Sequence, residues 1–171
     1  MIILKSTILI FIFLGSTSIG WIISKRYSKR VEELKEIQTD LNILENKIKF
    51  SREALNEIFI QIGQSSKNKI GEIFKTASIN LKLNTTKEAW QKSIEENAKN
   101  LSLEKEDIKI IEDLGNTLGK TDVEGQISQI ELTKKFIEVQ ISKAEEERKK
   151  NEKMYKSLGS LIGLAIVIIL I

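Results

Sequence analysis

The residues first worth testing for chemistry are Gly115-Asn116-Thr117-Leu118-Gly119-Lys120-Thr121. A phosphate-binding loop places four residues between its first glycine and the Gly-Lys-Thr, with a strand before it and a helix after it. Here three residues intervene, and what precedes them is helical in pattern. A structural role fits better. Gly115 permits close helix approach, Gly119 supplies a left-handed terminating position, and Asp122 starts the next helix. Two acidic runs come next, Glu104 with Glu106 and Asp107, and Glu145-Glu146-Glu147. Paired carboxylates do acid–base work when burial drives their pKa values apart. Both runs stand on polar stretches beside lysines and read as solvated faces. The sequence holds no His, no Cys and no Pro. Disulfides, thiolate or imidazole metal sites, and every His-based catalytic arrangement are therefore excluded. No catalytic residue, metal ligand or cofactor site is expected, and a helical structural or interaction protein is expected instead of an enzyme.

Charge distribution shows which elements must do the positioning. The 171 residues carry 27 basic and 24 acidic side chains, a formal charge of +3, and nearly all of them lie in the middle. Residues 1–24 hold a single charge, Lys5. Ser6 to Ile23 is 18 residues, about 27 Å of helix against a hydrocarbon core of about 30 Å. Trp21 stands at its inner end, as an interfacial aromatic would. The small residues Gly15, Ser16, Thr17 and Ser18 also allow a cleaved signal peptide. Lys25, Arg26, Lys29 and Arg30 follow the apolar run, though, and a signal peptide carries its charge before it. An uncleaved anchor is expected. The tail, residues 157–171, contains 14 apolar-rich residues from Leu158 to Ile171, about 21 Å of helix. That is short for a full span, unless the bilayer thins or Lys156 snorkels. A half-inserted tail or a greasy partner-binding helix is the alternative. Arg148, Lys149, Lys150, Lys153 and Lys156 stand just upstream. Both basic clusters flank the middle region, so the positive-inside rule makes that region cytoplasmic. Anionic lipid suits these clusters better than nucleic acid. Gly159 and Gly163 form a GxxxG that permits close packing against another membrane helix, with Ser16 and Gly20 of the first anchor as one partner face and a second protein as another.

The middle is a chain of amphipathic helices. Val31, Leu34, Ile37, Leu41, Leu44 and Ile48 step by three and four, continuing the first anchor. Ser51 is the expected cap of a second helix with Leu55, Ile58, Phe59 and Ile62, ended by Gly63. Gln64 to Lys69 form a polar connection. A third helix carries Ile70, Ile73, Phe74, Ala77 and Leu81. Thr85 with Glu88 matches a capping box and opens a fourth, with Ala89, Trp90, Ile94, Ala98 and Leu101. Ser102 is expected to cap a fifth, with Ile108, Ile111, Leu114 and Leu118. Asp122 caps the last, whose seam is Ile127, Ile130, Ile137, Ile141 and Ala144. Trp90, Phe59, Phe74 and Phe136 read as core. The expected fold is an all-α bundle of about six helices, the first and last extending into the membrane. Its organisation would be an anchor at 1–24, a cytoplasmic bundle at 25–156 and a short membrane helix at 157–171. A single long coiled coil is the rival, and caps recurring every dozen or so residues oppose it.

Three blocks resemble a known family. Residues 152–171 resemble the C-terminal signature of the stage III sporulation protein AB family. Leu114 to Asp122 with Gly125-Gln126 resembles its central motif, and Glu88-Ala89-Trp90 a third. The resemblance implies a role in the channel complex linking mother cell and forespore in endospore-forming bacteria. It also implies a soluble domain similar to the cytoplasmic helical domain of type II secretion platform proteins. The partners implied are a secretion-type ATPase, stage III sporulation protein AA, and the other channel components, with homo-oligomers open. The implied location is the mother-cell membrane around the forespore. The competing reading is a two-anchor coiled-coil scaffold of cell division or envelope assembly without an ATPase.

Overall fold

Alternation of apolar and charged residues at helical spacing, with no proline to interrupt it, yields helices and no strand among the described residues. The computed structural model describes residues 2–51, 53–66 and 69–170, with side chains from residue 7 onward. Lys67 and Asn68 of the polar connection, the Ile171 end of the tail and the Lys5 side chain lie outside the described residues. The elements are α1 (Ile2–Phe50), α2 (Leu55–Ser65), α3 (Ile70–Asn80), α4 (Thr86–Ala98), α5 (Lys105–Leu114) and α6 (Val123–Leu170). Four short helices thus stand between two long ones, and the chain reverses where a coiled-coil rod would need an unbroken heptad.

Two units share α1 and α6. One comprises Met1–Val31 with Lys143–Ile171, the other Glu32–Ser142. The first unit reaches past the apolar runs of both helices. The cause is polar and aromatic pairing of α1 with α6 past the greasy ends: Tyr27 stacks on Tyr155, and Ser28 and Arg30 reach Glu152 and Glu147.

The 32–142 unit is built on an aromatic cluster. Phe59 of α2, Phe74 of α3 and Trp90 of α4 lie with ring centroids 5.3–5.7 Å apart. Edge-on and tilted contacts of this kind add about 0.5–1.5 kcal/mol per pair to what burial alone supplies. The Trp90 indole N–H donates to the Ile111 carbonyl of α5 at 2.7 Å, so the one polar atom of the cluster is satisfied. Leu34, Leu41 and Leu44 of α1 and Ile130 and Ile137 of α6 are fully buried in the same unit.

Several local expectations are corrected. Ser51 does not cap α2. Its own N–H still bonds the Lys47 carbonyl at 2.8 Å, so it closes α1, and α2 begins after Ala54 with no side-chain cap. Gly63 does not end α2, which runs on to Ser65. A Cβ there would lie 3.1 Å from the Gly71 carbonyl oxygen, and one at Gly71 would lie 3.0 Å from that of Gly63. The two glycines therefore let α2 and α3 approach backbone to backbone. Ser102 does not cap α5. Its N–H donates to Glu33 of α1 at 2.6 Å, and Asp107 instead accepts the Glu104 N–H at 2.8 Å. Asp107 is thereby fully buried, not part of a solvated acidic face. Phe136 is not core: it is 50% exposed. The buried stripe of α6 runs through Ile130, Thr133, Ile137 and Gln140, and Phe136 lies about 100° around the helix from Ile137.

Candidate functional site

The sequence-selected residues fall into two clusters. The first joins α1 to α6 in their apolar halves. Glycine at Gly20 and Gly159 removes the side chains that would keep the backbones apart. A Cβ on Gly20 would come 2.6 Å from the Tyr155 carbonyl oxygen and 2.8 Å from the Gly159 Cα. A Cβ on Gly159 would meet the Gly20 Cα at 2.9 Å. The Ser16 hydroxyl donates to the Gly159 carbonyl at 2.7 Å, and Gly163 lies against Phe13 and Ser16. Ser16, Gly20, Gly159 and Gly163 are thus one contact. Such contacts rest on dispersion and hydrogen bonding, since lipid tails are as apolar as the helices themselves.

Past the apolar ends the pairing turns polar. Arg30 is 3% exposed and donates to Glu147 at 2.6 Å. It is withdrawn from the juxtamembrane basic set, being held by a carboxylate on the opposite helix. Lys156 donates to Glu152 at 2.7 Å, and Ser28 donates to the same carboxylate at 3.0 Å. These two bonds, the lysine's first, hold Glu152 below the ordinary carboxylate range. Burial beside Tyr155 raises Tyr27. The Lys25 ammonium sits 4.5 Å from the Trp21 ring centroid. Arg26, Lys29, Lys149, Lys150 and Lys153 are exposed, and Arg148 is half-buried.

The second cluster unites the two shorter sequence blocks. Glu88 and Ala89 belong to the first turns of α4, where the Thr85 N–H donates to Glu88 at 3.0 Å and closes the capping box. That backbone bond and the Thr85 hydroxyl hold Glu88 low, with a smaller contribution from Lys120. Gly115 lies under Trp90, where a Cβ would meet the indole Cδ1 at 2.6 Å. Gly119 has φ +69° and would press its Cβ to 2.9 Å from the Thr86 hydroxyl. Its N–H donates to the Gln126 side chain at 3.0 Å, and Asp122 accepts the Gly125 N–H at 3.0 Å, opening α6. The glycine loop is therefore a packing device between α4 and α6, with its amide directed at Gln126 and not outward at a phosphate.

One surface escaped the sequence reading. A groove of about 390 Å³ between α5 and α6 is lined by Ile110, Phe136 and Val139, with Glu106, Lys109 and Asp113 among its polar walls. Phe136 falling off the Ile130–Ile137 stripe was the available signal. Asp40 of α1 is also unusual. It is 1% exposed, and its Oδ2 has no hydrogen-bond partner among the described residues. Burial raises it to about 7, with Glu36 adding to the rise and the Ser66 hydroxyl opposing it. Among the described residues no group of three or more acidic, His or Cys side chains could hold a metal ion.

A family profile described as stage III sporulation protein AB matches residues 5–171. The chain belongs to the stage III sporulation protein AB family. A member from Bacillus subtilis (strain 168) is 30% identical over 163 residues, spanning 94% of this chain and 95% of the relative. A solved structure of a stage III sporulation protein AB matches with a TM-score of 0.68 at 24% identity, covering 71% of this chain and 98% of that one; it attests the all-α fold. Membership assigns the chain to sporulation. Its α1 and α6 are long and apolar enough to cross a membrane, which associates this member of the family with one.

Proposed function

We propose that this family member is a non-enzymatic membrane platform that docks a secretion-type ATPase, of the stage III sporulation protein AA kind, to the channel between mother cell and forespore. The carrying observation is the half-exposed Phe136 in the α5–α6 groove, on the helix that continues unbroken to Leu170. An exposed aromatic over an apolar floor is what a protein partner anchors on, and the same helix belongs to the apolar pair. Family membership supports the channel setting. The basic residues flanking the apolar runs support a cytoplasmic 32–142 unit at the mother-cell membrane around the forespore. The buried packing role of the glycine loop and of Asp107 supports a platform that catalyses nothing itself.

The test is affinity co-purification from sporulating cells with Phe136→Glu as the comparison. The native chain brings down the ATPase. The variant, altering an already exposed side chain, keeps its melting temperature and loses the ATPase. Equal recovery from both refutes the groove, and no ATPase from either refutes the platform. Protease admitted to the mother-cell cytosol by permeabilising the outer membrane, with the forespore-enclosing membrane left closed, cuts the 32–142 unit; its protection overturns the orientation.

A further inference from the structure

The register of the α1–α6 pair decides how the two basic clusters lie relative to each other. Gly20 meets Gly159, Gly163 meets Ser16, Tyr27 stacks on Tyr155 and Ser28 reaches Glu152. The helices are antiparallel, and residues whose numbers sum to roughly 180 stand at one height. Lys25, Arg26 and Lys29 are therefore level with Lys149, Lys150 and Lys153. At 1.5 Å per residue all six fall within a band on the order of 10 Å deep. Residues 21–30 and 148–156 hold nine basic side chains against one acid, Glu152. That acid is already engaged by Lys156 and Ser28, and Glu147 just outside the band is engaged by Arg30. The six cations are exposed. Immediately on the apolar side stand exposed Trp21, Ile22, Leu161 and Ile162.

We infer that these six side chains form a single collar that binds the headgroup phosphates of anionic phospholipid. The ligand must carry negative charge at the level of the lysines and hydrocarbon at the level of Trp21 and Ile22. A phospholipid does both, whereas free phosphate meets only the first demand. Exposed Glu32 and Glu146 stand at the collar's inner edge, but internal pairing of Glu147 and Glu152 leaves the collar a net positive charge, and each lysine or arginine held near an anionic surface adds to the attraction. The collar also acts on the short tail. By holding Lys153 and its neighbours in the headgroups, it fixes the depth at which the apolar residues beyond Ser157 enter the bilayer.

The chain contains its own reporter. Of its two tryptophans, Trp90 is buried in the 32–142 unit and Trp21 is exposed beside the collar. The full chain is reconstituted in phosphatidylcholine bilayers containing brominated phosphatidylglycerol, or brominated phosphatidylcholine as reference. Quenching of Trp21 then gives the preference for the anionic lipid. The expected preference is about 4- to 10-fold at low salt, falling below about 2-fold in 0.5 M salt as screening sets in. The combined variant Lys29→Gln, Lys149→Gln, Lys150→Gln and Lys153→Gln leaves the Lys25–Trp21 contact in place and brings the ratio to about 1–2. The matching Lys→Arg variant keeps the native ratio, which separates lost charge from lost packing. Soluble glycerol phosphate does not reduce the preference. A native ratio of one, a lysine-to-glutamine variant that keeps the preference, or displacement by glycerol phosphate overturns the proposal.

Discussion

Replacing Gly20 by valine tests the close backbone approach of α1 and α6. The new Cβ would stand 2.6 Å from the Tyr155 carbonyl oxygen and 2.8 Å from the Gly159 Cα, both backbone atoms that no rotamer change can move. Ordinary contact begins some 0.6–1 Å further out, so α1 and α6 must separate by about that distance. A gap of that size forfeits a quarter to a half of the dispersion energy of the facing atoms. It also takes the 2.7 Å bond from Ser16 to Gly159 beyond hydrogen-bonding range. Overpacking of this kind costs about 1–3 kcal/mol, a shift of about 5- to 150-fold in the population of the closed pair. The chain has no native cysteine, so a cysteine pair reports cleanly. A Cβ at Gly163 would be 3.2 Å from that of Ser16, close to disulfide geometry. In a Ser16→Cys, Gly163→Cys background, which already lacks the Ser16 hydroxyl, brief oxidation traps the pair, and Gly20→Val slows trapping by the steric part of the factor above. Gly15→Val is the matched control, because nothing lies within 4 Å of a Cβ there. Equal trapping in the two valine variants would refute the close-packing argument.

Four further outcomes follow from the same geometry. Asp40 is protonated in the fold and ionised in the unfolded chain between about pH 4 and its raised value near 7. Unfolding in that window releases a proton, so stability falls as pH rises through it and is level above it. The loss is on the order of 3–4 kcal/mol, and thermal melts of Asp40→Asn at pH 4.5 and 8 should lack it. Trp90→Phe leaves the Ile111 carbonyl without its indole donor and costs about 1–2 kcal/mol, against about 3–5 kcal/mol for Trp90→Ala; urea titration ranks the two. Gly119→Ala forces a side chain into left-handed backbone and costs about 1–2 kcal/mol in the same titration. A Gly-Gly insertion after Glu147 breaks α6 inside the half that pairs with α1, five residues past the boundary with the 32–142 unit. It leaves the melting of the 32–142 unit unchanged while lowering spore yield in a sporulation assay, as the proposed platform requires.

The helix count and the buried stripe of α1 were legible because period-3.6 patterning is set by the local chain. The Thr85–Glu88 cap was legible for the same reason, since both of its bonds close within one turn. Ser51 and Ser102 misled because each is a good cap by type, while tertiary structure used Ser51 to finish α1 and the Ser102 N–H to satisfy Glu33. Gly63 looked like a stop signal, yet its use depends on Gly71 of another helix, which no local window contains. Phe136 was misplaced by residue type alone, since the neighbouring Ile137 had already taken the inward direction. For the site, the sequence offered two small-residue pairs and two short blocks as separate features. That Ser16 bonds Gly159, and that Gly115 lies under Trp90, is information about folding back and not about composition.

The bond between Ser16 and Gly159 spans 143 positions of the chain. At translation rates of about 5–20 residues per second, the earlier helix waits roughly 7–30 s in the bilayer before its mate is made. During that interval its notch of small residues stands open to any passing helix of the same shape, including that of a sister chain emerging from the next ribosome on the message. Exchange between such neighbours would yield intertwined dimers with every native contact intact, and the yield would rise with ribosome density.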